Sequence, residues 1–182
     1  DTAKLIKPMK AYAPNEQQFI YCSSFSKIFG PGLRIGWMIV PNEELRKGFY
    51  AWMEANEFSS PFFTATIGAE AAYRHGEAWL DELIPYLEGN IDAANEYLRR
   101  ELPPVKAVKP QASFLIWLDC RELGLPQDKL ENLFIHGAGL ALNSGTMFGT
   151  QGEGFMRLNI ATSRNQLLEA LSRLKKAVEA LR

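Results

Sequence analysis

Lys27 and Arg34 are the residues of this chain whose types and spacing best suit chemistry. They lie in Ser23-Ser24-Phe25-Ser26-Lys27-Ile28-Phe29-Gly30-Pro31-Gly32-Leu33-Arg34-Ile35-Gly36-Trp37. Serine hydroxyls and the backbone N–H groups of a turn can hold a phosphate. Arginine adds a planar, permanently charged fork for the same anion. A lysine partly shielded from water loses its proton and can form an imine with a carbonyl compound. A lone Ser-x-Lys would suit a surface lysine in a glycine-rich hairpin equally well. The layout of one lysine in a turn of serines and glycines, followed by one arginine, suits an anion and an imine.

These residues need strands to hold them. Phe19 to Cys22 and Ile35 to Val40 are strand-like, with the lysine turn between them. Pro41-Asn42 ends the second strand, and Asn42 is a plausible N-cap for a helix from Glu43 with Leu45, Phe49, Trp52 and Met53 at helical spacing. Ser59-Ser60-Pro61 breaks the chain and opens a helix over 61–73, with Phe58, Phe62 and Phe63 read as a core aromatic cluster. From Glu77 to Arg100 the spacing of Leu80, Leu83, Ile84, Leu87, Ile91, Ala94 and Leu98 predicts one long amphipathic helix, kinked at Pro85. Beyond Pro103-Pro104 the pattern is that of a compact α/β unit. It has strands at 105–108, 113–118, 140–142 and 155–161, and a helix at 126–138. A last helix starts at Ser163, with Gln166 completing a capping box.

The second motif runs Asn143-Ser144-Gly145-Thr146-Met147-Phe148-Gly149 and on through Gly152-Glu153-Gly154-Phe155-Met156-Arg157-Leu158-Asn159. Ser-Phe-Ser-Lys followed by Pro-Gly-Leu-Arg-Ile-Gly resembles the cofactor-lysine motif of class I/II aminotransferases, the fold-type-I enzymes that use pyridoxal 5'-phosphate (PLP). Four further stretches resemble the PatB/MalY-type cystathionine β-lyase (C–S lyase) branch over roughly residues 40–182. They are Ala71 to Leu80, Tyr86-Leu87-Glu88-Gly89-Asn90, Trp117-Leu118-Asp119-Cys120-Arg121 and Gly152 to Asn159. The lysine turn itself, Gly30-Pro31-Gly32-Leu33-Arg34, is closer to aminoadipate-type aminotransferases and to the aminotransferase-like domain of MocR regulators.

The resemblance implies PLP carried on Lys27, with Ser24, Ser26 and Arg34 about its phosphate, and Arg157 gripping the α-carboxylate of an amino-acid substrate. Arg164 is the competing arginine and is read as solvated. The fold implied is α/β: the end of the large-domain sheet over residues 1–76, a bridging helix over 77–101, and a small C-terminal domain over 102–182. The reactions implied are C–S β-elimination, with class I aminotransfer as the alternative. A PLP-sensing regulator of MocR type is a third class. A cytoplasmic homodimer is the implied assembly. In the family the acid that contacts the cofactor's pyridine nitrogen lies about 35 residues before the lysine. Only 26 residues precede Lys27. The chain is therefore expected to be the C-terminal half of an enzyme, inactive by itself.

Composition narrows the rest. Of 182 residues, 47% are apolar and 23% charged, with a net charge of -1, which suits a globular core and gives no polyelectrolyte signal for nucleic acid or anionic membrane. No apolar run of about eighteen residues and no signal-peptide pattern is present. Cys22 and Cys120 are expected as buried free thiols of a reducing compartment. His75 and His136 are read as non-catalytic, and no residues fall at metal-ligand spacing.

Overall fold

The computed structural model describes residues 20–25, 32, 34–58 and 62–181, and the chain divides into two units, Asp1–Ala78 and Trp79–Arg182. In the first unit β1 (Tyr21–Ser24) pairs antiparallel with β2 (Gly36–Ile39), registered Tyr21 to Ile39 and Ser24 to Gly36. Helix α1 (Glu43–Ala55) begins where expected: the Asn42 side chain accepts the Leu45 N–H at 3.0 Å and satisfies one orphan donor of the first turn. Arg46 closes the end of β2 by donating to the Val40 carbonyl at 2.7 Å. Helix α2 (Phe63–His75) buries only Ala65 and Ala69. Phe58, Phe62 and Phe63 do not form the expected core cluster. All three are exposed, Phe62 to 82%, and α2 turns the small Ala65 and Ala69 inward instead.

Helix α3 (Glu77–Glu101), all but its first two residues in the second unit, continues unbroken through Pro85. Its apolar stripe is buried only from Ile91 onward, where Ala94 and Leu98 follow. A four-stranded antiparallel sheet has the order β3-β4-β6-β5, made of β3 (Lys106–Val108), β4 (Leu115–Asp119), β5 (Asn143–Ser144) and β6 (Phe155–Asn159). Along β4 and β6 burial alternates. Ile116, Leu118, Met156 and Leu158 face the core, as a sheet covered on one side requires. The cover is α3, α4 (Gln127–Asn132) and α5 (Arg164–Glu179), which supply Leu98, Leu130, Leu167, Leu171 and Leu174. Fully burying one such leucine contributes about 1.5–3 kcal/mol, so this interface dominates the unit's stability.

Three expectations change here. The strand expected at 140–142 falls instead on Asn143–Ser144, because it is those residues that pair with Arg157 and Met156. The helix expected over 126–138 is α4 followed by a π-helical turn over Leu133–Gly137, ended by Gly139 at φ +64°. At the start of α5, Ser163 accepts the Gln166 N–H at 3.3 Å, but the Gln166 side chain accepts from Thr162 rather than returning to Ser163. Only half of the capping box forms.

The two thiols also part. Cys22 lies on the exposed side of β1, whereas Cys120 is buried at the end of β4. Burial pushes the Cys120 thiol up from 9.0 to about 12. The folded chain thus keeps that proton where the unfolded chain releases it. The associated stability is full below about pH 9 and is lost as pH rises through about 12. With iodoacetamide near pH 8, Cys120 is expected to resist alkylation until denaturant is added, as followed by peptide mass spectrometry. Alkylation of Cys120 in the native chain at the rate of Cys22 would contradict its burial.

Candidate active site

The loop end of the β1–β2 ribbon gathers two of the anion-binding candidates. The Ser24 hydroxyl donates to the Ile35 carbonyl at 3.2 Å, and the Phe25 N–H donates to the same oxygen at 3.1 Å. The strands pair closely because position 36 is glycine: a Cβ there would lie 3.1 Å from the Ser23 carbonyl oxygen. Arg34 holds a positive φ of 44°, a conformation that costs a non-glycine residue about 1–3 kcal/mol. Its side chain is exposed and makes no ion pair among the described residues. Helix α2 braces both strands through one residue. The Trp37 indole N–H donates to the Tyr73 hydroxyl at 2.7 Å, and buried Phe25 meets the Tyr73 ring edge-on at 4.6 Å. Ser24 and Arg34 therefore both lie at the open end of the ribbon. The exposed Arg34 guanidinium, without an ion pair among the described residues, is a donor that fits a phosphate. Lys27 and Ser26 lie outside the described residues.

In the second unit Arg157 lies on β6, opposite Trp117 of β4 and Asn143 of β5. The alternation that buries Met156 and Leu158 puts Arg157 on the face without helices, together with Trp117 and Phe155. Its Nη2 donates to Asn143 Oδ1 at 2.9 Å, and its guanidinium carbon stands 4.5 Å from the centre of the Phe148 ring. Trp117 meets Phe148 and Phe155 edge-to-face at 5.4 Å and 6.0 Å, so Phe148 is itself held. The Nε of Arg157 is buried without a hydrogen-bond partner among the described residues. A buried donor left unpaired costs about 1–3 kcal/mol. The arrangement therefore favours an acceptor, and a guanidinium held in one plane beside an apolar ring suits a carboxylate. The neighbouring Arg121 is already neutralised. Asp119 accepts from its Nε at 2.9 Å and its Nη2 at 2.7 Å, and this pairing holds the Asp119 carboxyl below the usual range.

The segment that carries Phe148 is shaped by three residues. Gly145 and Gly152 press backbone to backbone, and a Cβ on either would overlap the other's carbonyl. Gln127, at the start of α4, donates to Ser144 Oγ at 2.8 Å and accepts the Gly154 N–H at 2.8 Å. Its amide thereby ties the beginning of the segment to its end.

Sequence reasoning placed Arg157 but assigned no role to Asn143, Phe148, Asn90 or Gln127. Asn143 and Phe148 lie in the quoted glycine-rich stretch, and the period-2 pattern of β6 is the signal that could have pointed to them. Arg164 is not solvated as expected. Its Nε donates to Asn90 Oδ1 at 3.0 Å and its backbone N–H to the Tyr86 hydroxyl at 2.9 Å. His75 and His136 are exposed, and no cluster of metal-ligating residues occurs among the described residues. Among these residues no helix is long and apolar enough to cross a membrane.

The first unit thus carries an exposed arginine suited to a phosphate, and the second, by itself, an arginine suited to a carboxylate. Residues 6–174 match the family model for aminotransferase class I and II, and the chain belongs to that family. It is 40% identical over 160 residues to cystathionine beta-lyase PatB of Bacillus subtilis, covering 87% of this chain and 41% of that protein. The structure resembles cystalysin from Treponema denticola, which contains a pyridoxal 5'-phosphate cofactor, with a TM-score of 0.87 at 27% identity, covering 91% of this chain and 42% of that one. It also resembles the PLP-bound C–S lyase of Staphylococcus hominis, with a TM-score of 0.83 at 28% identity, covering 94% and 45% respectively. The chain spans less than half the length of each of these proteins.

Proposed function

We propose that the protein carrying this chain is a PLP-dependent C–S β-lyase acting on cystathionine or related cysteine conjugates. The observation that carries this reading is the Arg157 guanidinium, fixed by Asn143 and Phe148 with its buried Nε still unpaired. The likeness to PatB, cystalysin and a C–S lyase supports the choice of reaction. In this reading Arg157 binds the substrate's α-carboxylate as a bidentate pair and so orients the amino acid. Ser24, Ser26 and Arg34 hold the cofactor's phosphate. Lys27 carries the cofactor, and its freed Nζ accepts the α-proton. PLP, when bound, supplies a sink for the electron pair that the Cα–H bond leaves behind. The Cβ–S bond then breaks to release a thiol, and water converts the three-carbon remainder to pyruvate and ammonia. A cytosolic homodimer completes the proposal.

Class I aminotransfer is the second reading. The family model favours it, as does the likeness of Gly30-Pro31-Gly32-Leu33-Arg34 to aminotransferase turns. It would use the same lysine and arginines and give a 2-oxo acid as product. Substrate assays separate the two. With cystathionine the full-length protein is expected to yield pyruvate, ammonia and a free thiol. With an amino acid plus 2-oxoglutarate it is expected to yield no glutamate. Glutamate without pyruvate would overturn the lyase reading in favour of aminotransfer.

A further inference from the structure

We infer that Asn90 is a positioning residue for Arg157, acting through a clamp on the chain that leaves β6. This inference rests on the carboxylate role proposed for Arg157. Beyond Asn159 the chain runs through Ile160, Ala161, Thr162 and Ser163 into α5. Asn90 of α3 is 0% exposed, and its amide is fully used there. Its Nδ2 donates to the Ile160 carbonyl at 3.0 Å and to the Thr162 carbonyl at 2.9 Å, while its Oδ1 accepts from Arg164 Nε at 3.0 Å. Two carbonyls need donors and a guanidinium needs an acceptor, so the chemistry fixes which way the amide points.

The rest of Tyr86-Leu87-Glu88-Gly89-Asn90 serves the same contact. Tyr86 accepts the Arg164 backbone N–H, and its ring centre lies 5.7 Å from the Arg164 guanidinium. Gly89 sits inside a helix, where glycine is ordinarily unfavourable. A Cβ there would lie 2.5 Å from Arg164 Nη2, so the guanidinium can lie against α3 only over a glycine. The opposite end of β6 is tied by Gln127 to the Gly154 N–H. Arg157 thus sits on a strand whose exit is held by Asn90 and whose entry is held by Gln127.

The consequence concerns geometry more than stability. A strand slip of one residue would turn Arg157 into the core, and a misplacement of about 1 Å at a gripping residue can cost about 100-fold in rate. Asn90→Asp keeps the shape and the acceptor for Arg164, but it removes both donors and sets a carboxylate against the Ile160 and Thr162 carbonyls. Its predicted effect is therefore a displaced β6 exit and a poorly aimed Arg157.

The experiment uses the full-length protein and compares binding of L-alanine with that of L-alaninamide, which lacks the carboxylate, read from the cofactor's visible band. Asn90→Asp is expected to weaken L-alanine about tenfold while changing L-alaninamide within about twofold. Arg157→Gln is the control and is expected to remove the preference for L-alanine altogether. In the cofactor-free protein, hydrogen exchange over 154–162 is expected to quicken in Asn90→Asp while that over 167–178 in α5 holds. If Arg157→Gln keeps the preference, the carboxylate role fails and the inference with it. If Arg157→Gln loses the preference but Asn90→Asp keeps it, or exchange over 154–162 is unchanged, Asn90 does not position Arg157 and the inference alone falls. Should Asn90→Asp fail to fold, Arg164→Met, which strips the amide of its guanidinium partner, is read by the same criteria.

Discussion

Replacing Lys27 by alanine in the full-length protein is expected to abolish both turnover and the visible absorbance of bound cofactor, whichever of the two reactions the enzyme performs. The amine at this position is asked to do two things: hold the cofactor's carbonyl carbon and take the proton from the substrate's α-carbon. A positioned general base alone contributes about 10²–10⁴-fold, and loss of the covalent link compounds that. Lys27→Arg is expected to fail equally, since a guanidinium keeps the charge but stays protonated and forms no imine. The decisive measurement is borohydride reduction followed by peptide mapping. In the wild type the reduced cofactor should map to Lys27, and in Lys27→Ala none should be trapped. Reduced cofactor recovered on another lysine of the variant would show that the assignment is wrong.

The second large effect divides two arginines. Arg157→Ala should lower kcat/KM by about 2–4 kcal/mol in transition-state terms, because a partly buried bidentate contact to the carboxylate is lost. The protein should still retain its cofactor at full occupancy. Arg34→Ala should do the reverse. Cofactor would wash out on dialysis, and saturating PLP would restore most of the substrate affinity. The asymmetry follows from position. Arg34 lies seven residues beyond Lys27 in sequence and serves the phosphate in the proposed reading, whereas Arg157 stands on a sheet face with Asn143 and Phe148. Equal loss of cofactor from both variants, with normal substrate binding at saturation, would show that the roles are not divided in this way.

Sequence alone determined the parts whose causes are local. Asn42 caps α1 because a short side-chain acceptor precedes a run of helix formers. The α3 helix covers the expected span, since its apolar spacing and flanking prolines are local signals. The β6 strand that carries Arg157 was legible from its alternating pattern, although nothing along the chain showed that Arg164 is also held. Family membership was legible for the same reason: its motifs are short runs of residues read along the chain. Which side chains serve those residues depended on contacts distant in sequence. Asn90 meets Ile160, Thr162 and Arg164 across 70 to 74 positions. Gln127 meets Gly154 across 27. The exposure of Phe62 and Phe63, and the separation of Cys22 from Cys120, likewise follow from which faces find a packed neighbour. Composition and periodicity give a residue's preference for burial, but only the packed tertiary structure decides which preferences are met, because burial requires a second surface that the local sequence does not contain.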